Sequence, residues 1–398
     1  MVTLERAREH AFMAGVGDVG MQLCEANVPY GLAKIHHVQE QLGLPADATF
    51  VGSPDATVTR NDRRWSQGFG YGGVYSWSGE FAVLDMKPNA CGMLVGALPD
   101  LPGLEQVRER LHALDREGIE LDGVALDNDL TESNHFVDVL TVNDDKSTRA
   151  APGGARHFFI MHSSGHEHRG ETPRGPGLYF DQSKALAEMA RVFETPWGSL
   201  SILEGDDARE WFRFYQEVQD FNHRRREALA GFLFDEFTPV VNATHQGLVR
   251  GLTRANIGCY TFDDGDQTLF PLTLSPTLPA FLVEPHDNVS QQVIRDLGWA
   301  PRIDEHDLYD RIRGTNLLPH GGGYLYPQLK GVTRVIEDGP DQRRFELRPT
   351  DPASKPVVIE TPRGLDYGYR GMEVKDCMEE LGLGTAVVQL DLDYVLKA

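Results

Sequence analysis

Residues 135–162 read HFVDVLTV-NDDKSTRAAPGGAR-HFFIMH. The outer two blocks are rich in β-branched and aromatic side chains, which suit a pleated, half-buried surface, whereas Asn143 to Arg156 carries turn formers and charge. The order is strand, polar insertion, strand. Further strand-like runs are Thr238–Asn242, Phe281–Glu284, Val332–Ile336, Arg344–Arg348, Val357–Glu360 and Thr385–Leu390. Helical spacing appears in Leu104, Val107, Leu111 and Leu114, and again from Ala185 to Phe193 behind an N-cap at Asp181. The longest helical pattern runs from Asp206 to about Phe234, with Trp211, Tyr215, Val218 and Phe221 or Asn222 on one face and His223–Arg226 as a basic turn. Strands and helices interleave without a regular βαβ alternation, so the expected fold is α+β with a complex mixed sheet, and not a doubly wound one. There is no repeat, low-complexity tract or linker, and residues 1–398 are expected to form a single integrated domain.

Composition narrows the function classes. The chain carries 60 acidic and 38 basic side chains, a formal net charge of -22, so no global positive field gathers nucleic acid or an anionic membrane, and a polyanion must be held locally. Cys24, Cys91, Cys259 and Cys377 are widely spaced with no CxxC pair, which excludes a disulfide framework and a zinc ribbon and suits a reducing compartment. The opening MVTLERAREH lacks an apolar signal core, and no run approaches the ~20 apolar residues of a membrane span. The expectation is a soluble, cytoplasmic protein with no membrane partner.

Chemistry concentrates at abrupt strand ends. His135 follows Asn134 at the head of HFVDVLTV, His162 closes HFFIM, and His245 ends PVVNAT, so each is expected to emerge at a strand edge. Cys91, in PNACGM, reads as a thiol on a turn at the tip of Ala82 to Leu84. One sulfur and three imidazoles suit Zn, Mn, Fe or Co. Taken singly, such a histidine is more often a hydrogen-bonded core residue, and such a cysteine a small buried hydrophobe. His166 and His168 lack helical support between Gly165 and Gly170 and read as loop surface. In LLPHGGGYLYP, His320 precedes Gly321, Gly322 and Gly323. Three glycines let backbone N–H groups approach an anion, and a neutral imidazole beside a phosphate can attack phosphorus. A flexible turn with an incidental histidine is the competing reading.

Taken in chain order, Cys91-Gly92, Asn134-His135-Phe136, His162-Ser163-Ser164-Gly165, His245, Pro319-His320-Gly321-Gly322-Gly323 and Val395-Leu396-Lys397 resemble the landmarks of the RtcB family of GTP-dependent RNA ligases. Those landmarks are a D-x-x-C-G turn, a G-N-H-F-x-E strand, an H-S-G-S-R loop, an H-N pair, a P-H-G-A-G-R loop and a C-terminal lysine. The resemblance implies the RtcB type of mixed-sheet fold and a Mn(II)- and GTP-dependent ligase joining 3′-phosphate or 2′,3′-cyclic-phosphate RNA ends to 5′-hydroxyl ends in RNA splicing or repair, with RNA and an activating protein as partners. It implies that Cys91 bridges two Mn(II) ions, with His162 and His245 completing one site and His135 belonging to the other. His320 would be the residue guanylylated by GTP. Asn134, His135, Phe136, Asp138 in place of the family's glutamate, His245, Gln246, Gly321, Gly322, Gly323, Tyr369 of YGYR and Lys397 would surround the nucleotide.

The chain departs from the family pattern at several points. Pro88 stands where a metal-binding aspartate belongs, which leaves Asp85 as the nearby carboxylate. Tyr324 replaces an arginine after the glycine loop, the serine loop after the second histidine reads HSSGH, Gln246 replaces an asparagine, and Pro271–Pro279 matches another serine loop only loosely. Two other classes therefore compete: a metal-dependent phosphodiesterase or phosphatase using the same cluster without GTP, and a nucleotide-binding relative without ligase turnover. For a nucleic-acid substrate the candidate patches are Arg60, Arg63 and Arg64, the His223–Arg226 turn, and Arg250 with Arg254, with Trp65 and Tyr71 as candidate base-stacking rings.

Overall fold

The computed structural model describes residues 3–130, 134–340 and 342–397. Its frame is an eleven-stranded sheet in the order Ala11–Met13, Thr49–Thr57, Tyr71–Ser76, Arg254–Ile257, Thr238–Leu248, Cys91–Leu98, His157–Ser163, Phe136–Val142, Gly384–Leu396, Ala280–Pro285, Phe270–Thr273. The first pair is parallel and the remaining pairs are antiparallel. This is the mixed α+β architecture expected, and strands from residue 11 to residue 396 enter one sheet.

The central strands are apolar on both faces because both faces are covered. Leu94, Leu98, Phe159 and Met161 pack with Leu229 and Leu233 of the long helix Gly205–Leu233. The alternate residues Met93, Val95, Phe158 and Ile160 pack with Leu282, Val388 and Leu390. The period of two thus divides one continuous hydrophobic run between two cores. The helix buries Trp211, Tyr215, Val218, Phe221 and Asn222, the face expected from its spacing.

Other elements differ from expectation for identifiable reasons. Helix Val19–Gln41 was not legible: it is buried on nearly every side, so it has no polar stripe and no 3.6-residue contrast. Asp18 caps it by accepting from Met21 N at 3.0 Å. The helix expected from Ala185 to Phe193 is Lys184–Met189, capped by Ser183; Arg191–Thr195 is a strand paired with Gly198–Glu204, and Asp181 instead pairs with Lys87 at 2.6 Å. Cys91 opens a strand and does not sit at the tip of a turn. His245 lies inside strand Thr238–Leu248, where the register with the Cys91 strand is irregular between Thr244 and Gln246. Strands Leu329–Gly339, Gln342–Pro349 and Val357–Ile359 form a separate small sheet that rests on the Val19–Gln41 helix through Phe345, Leu347, Leu23 and Trp65. Among the described residues no helix is long and apolar enough to cross a membrane.

Candidate metal and nucleotide site

Sheet register brings together what the sequence separates. Cys91 and Gln246 are cross-strand partners, as are Met93 and His162, and Phe136 and His162, so the starts of two strands and the end of a third meet at one edge of the sheet's middle. His162 Nε2 lies 3.2 Å from Cys91 Sγ and 3.2 Å from His245 Nε2. The ligand atoms of Cys91, His162 and His245 all fall within 4.8 Å of one another, and all three residues are buried. His135 Nε2 stands 3.7 Å from the same sulfur and 3.4 Å from Ser164 Oγ, on the flank of this triad.

Protonation states favour a cation between the three. Burial alone would raise the Cys91 thiol, yet the His162 and His245 rings and hydrogen bonds from His135 and His162 hold it well below its usual value. Burial lowers His162 and takes His245 down to about 3, so both rings give up a proton readily to a metal ion. The Asn134 carbonyl accepts from His162 Nδ1 at 3.0 Å, which turns Nε2 toward the thiol. A thiolate and two neutral imidazoles are the states a metal ion requires, and three protein donors leave a fourth position open. The Cys91–His162–His245 group can therefore hold a metal ion.

His135 is held differently. Burial opposes its protonation, but Asp129 Oδ2 at 2.9 Å and the Cys91 thiolate push it up to about 10. Asp129 also accepts from Ser163 Oγ at 3.0 Å, Ser164 N at 2.8 Å and Arg225 Nη1 at 2.9 Å, and these partners overcome burial to keep its carboxyl well below the usual range. Asp85 does not supply the carboxylate that the resemblance expects at Pro88. Its Oδ1 takes Arg63 Nε at 2.9 Å and its Oδ2 takes Ser201 N at 2.8 Å, so both oxygens are engaged away from the triad.

His320 faces the triad, its ring 4.4 Å from that of His245 and 6.4 Å from that of His162. Asp55 fixes it: Oδ2 accepts from His320 Nδ1 at 2.8 Å, His320 N at 3.2 Å and Gly321 N at 3.3 Å, while Ser53 Oγ donates to Oδ1. With Nδ1 engaged, the free lone pair is on Nε2. The glycines after His320 answer a packing demand as well. A Cβ at Gly322 would stand 2.6 Å from the carbonyl oxygens of Arg370 and Leu274, and Gly323 has φ +66° and would meet Asp55 O at 2.5 Å. Arg370, fully buried, bonds to the Gly322 carbonyl and to both oxygens of Asp18, tying the loop to the cap of the long N-terminal helix.

A cavity of about 90 Å³ opens beside His320 and is lined by Asn134, Phe136, Asp138, His162, Gly321, Gly322, Gly323, Tyr369 and Lys397, with Leu274, Ser275 and Pro276 of the loosely matching loop. Burial raises Asp138 to about 7, opposed by Lys397, whose own value burial lowers. His135, His245 and Gln246 are outside this lining, and the Gln246 carboxamide donates to the Lys87 carbonyl at 3.2 Å.

The expected basic patches are largely committed elsewhere. Arg64 serves the Met86 and Lys87 carbonyls, Arg225 and Arg226 are fully buried, Arg224 pairs with Asp122, and Arg250 pairs with Asp263. Trp65 is 3% exposed with its Nε1 on the Glu360 carbonyl, and Tyr71 packs edge-on against His320, so neither ring stands on an outer surface ready to stack a base. His168 is buried against Phe221 and is not loop surface. Sequence reasoning passed over Asp55 and Asp129. Asp55 carries no sequence signal: it follows Gly52-Ser53-Pro54, which reads as a turn, although every residue of Thr49–Thr57 is a buried strand residue. A comparison with models of known protein families finds no match, and a comparison with curated protein sequences finds none.

Proposed function

We propose that this chain is a metal-dependent nucleic-acid ligase that consumes GTP through a covalent His320–GMP and joins 3′-phosphate or 2′,3′-cyclic-phosphate RNA ends to 5′-hydroxyl ends. The observation that carries the reading is the hydrogen bond from His320 Nδ1 to Asp55, which leaves Nε2 free beside a cavity next to the Cys–His triad. In the first step Nε2 attacks the α-phosphorus of GTP, the bond to the β-phosphate oxygen breaks and pyrophosphate leaves. Asp55 stabilises the positive charge that spreads onto the ring, as a buried carboxylate does for any imidazole that becomes cationic during a reaction. A metal held by Cys91, His162 and His245 would offset phosphate charge beside His320. Asp138 and Lys397 offer the base an acceptor and a donor, with Asn134, Phe136 and Tyr369 as the other walls.

The donor set bears on the metal. Sulfur and two imidazoles with no carboxylate match Zn, Co or Fe at least as well as Mn(II), which favours oxygen donors. His135 is the protein donor available to a second ion beyond the shared sulfur. The reading places the protein in the reducing cytoplasm with RNA as its partner. Intact mass spectrometry after incubation with GTP and each of Mn(II), Zn(II) and Co(II) tests it. A GMP adduct lost in His320→Gln is expected; no adduct with any ion, together with metal-dependent phosphodiester hydrolysis, would move the chain to the phosphodiesterase class.

A further inference from the structure

The cavity does not end at its glycine loop. Tyr324 and Tyr369 line it, and their rings stand 5.8 Å apart at a shallow 32° tilt as cross-strand neighbours. Tyr367 continues this pair outward, with its ring edge-on at 5.0 Å from Tyr324 and 5.9 Å from Tyr369, and it is 43% exposed. The Arg60 guanidinium lies 4.2 Å from the centre of the Tyr367 ring and 5.8 Å from that of Tyr324. Arg60 Nη2 donates to the Arg363 carbonyl. The result is an aromatic and cationic shelf that runs from the wall of the His320 cavity to the surface.

We infer that this shelf seats the unpaired terminal nucleotides of a single-stranded nucleic acid whose end reaches His320, an inference that rests on the ligase reading of the cavity. Base faces stack on tyrosine without regard to sequence, and an arginine beside the rings meets the phosphate backbone. In a chain of net charge -22 this matters, because attraction to a polyanion has to be local, and Arg63, Arg64, Arg225 and Arg226 are engaged internally. Tyr324, which stands where the resemblance expects an arginine, builds the inner part of the shelf. Binding that relies on stacking more than on phosphate contacts then carries a weak salt dependence.

The test uses the full chain and a fluorescent eight-nucleotide single-stranded RNA ending in a 3′-phosphate, with anisotropy for binding and intact mass for the GMP adduct. Tyr367→Ala is expected to weaken RNA binding roughly 5- to 100-fold while adduct yield persists, with Tyr367→Phe restoring binding. Arg60→Gln should weaken binding and lower the slope of log affinity against log salt by about 0.7, the share of one phosphate contact. RNA binding unchanged in Tyr367→Ala overturns the inference, as does parallel loss of adduct and RNA binding in that variant, which would assign the shelf to GTP. If the unaltered chain forms no adduct yet loses RNA binding in Tyr367→Ala, the GTP reading fails and the nucleic-acid shelf stands.

Discussion

Replacing Asp138 with asparagine removes an ionisation that the cavity wall opposes. The side chain is 8% exposed, and burial raises its pKa from 3.8 to about 7. A carboxyl whose folded pKa is raised contributes stability that is fully present below the unfolded value and lost as pH rises through the folded one. The loss therefore begins near pH 4 and is complete a little above pH 7. Between pH 5 and pH 8 Asp138 is already ionised in the unfolded chain, whereas in the folded chain it loses its proton only as pH passes about 7. At ~1.4 kcal/mol per pH unit the expected loss is roughly 2.5 to 3 kcal/mol. Urea unfolding of the original chain and of Asp138→Asn at both pH values measures it, and the difference between the two proteins cancels every other titrating group. The original chain should lose about that much more stability than the variant on going from pH 5 to pH 8. A difference independent of pH would show that Asp138 ionises freely in the folded state, and the account of the cavity wall as a dry surface would be refuted.

Three further outcomes are expected. Metal analysis should find one first-row ion bound tightly by the chain alone, lost in Cys91→Ser and in His245→Ala but retained in Asp85→Ala, with a second ion taken up only when GTP is present; chelation should lower the unfolding temperature, since a ligand at 100 times its dissociation constant stabilises by about 2.7 kcal/mol. Asp55→Asn should slow GMP-adduct formation by about 10² to 10⁴, read by quenched intact mass, with little change in the GTP concentration needed for half-maximal rate; an unchanged rate would remove Asp55 from the chemistry. Arg370→Met should cost about 3–5 kcal/mol in urea unfolding, because the guanidinium is fully buried and Asp18 and the Gly322 and Ala56 carbonyls lose their partner; a cost under about 1 kcal/mol would show that the strut from helix cap to glycine loop is not needed.

Cys91, His162 and His245, which could hold a metal ion, and His135 beside them could be picked out in the sequence because they stand at the ends of apolar runs, where a sheet collects them. Aspartate gives no such sign. Asp55 and Asp129 are written like any surface carboxylate, and only the fold shows that one clamps His320 while the other anchors His135 and Arg225. Charge misled in the opposite sense at Arg225 and Arg226, which read as a basic turn and a candidate nucleic-acid patch but are fully buried. Aromatic residues near arginines misled as well. Trp65 is core, and the exposed ring near Arg60 is Tyr367, some 300 positions further along the chain and placed there by the pairing of Tyr324 with Tyr369. Periodicity failed at Val19–Gln41 for the reason it succeeded at Gly205–Leu233: a helix with one wet face announces itself, and a helix with none does not.

With Pro88 where the RtcB resemblance expects an aspartate, the proposed metal site carries little negative charge of its own. A thiolate and two neutral imidazoles leave a bound divalent ion with one net positive charge, which a buried site next to the phosphates can tolerate. A second divalent ion on the same sulfur would bring two more positive charges with His135 and no carboxylate to meet them. Asp129 cannot shift to that duty without abandoning Arg225, and Asp85 cannot without abandoning Arg63. Each exchange would break hydrogen bonds these carboxylates already make, with Ser163, Ser164 and Arg225 for Asp129 and with Arg63 and Ser201 N for Asp85, so neither is favourable. The anion that can balance a second ion is the nucleotide itself, whose phosphates would enter the same cavity beside His320. On the ligase reading a second ion would therefore depend on the substrate, with His135 held by Asp129 until a nucleotide binds.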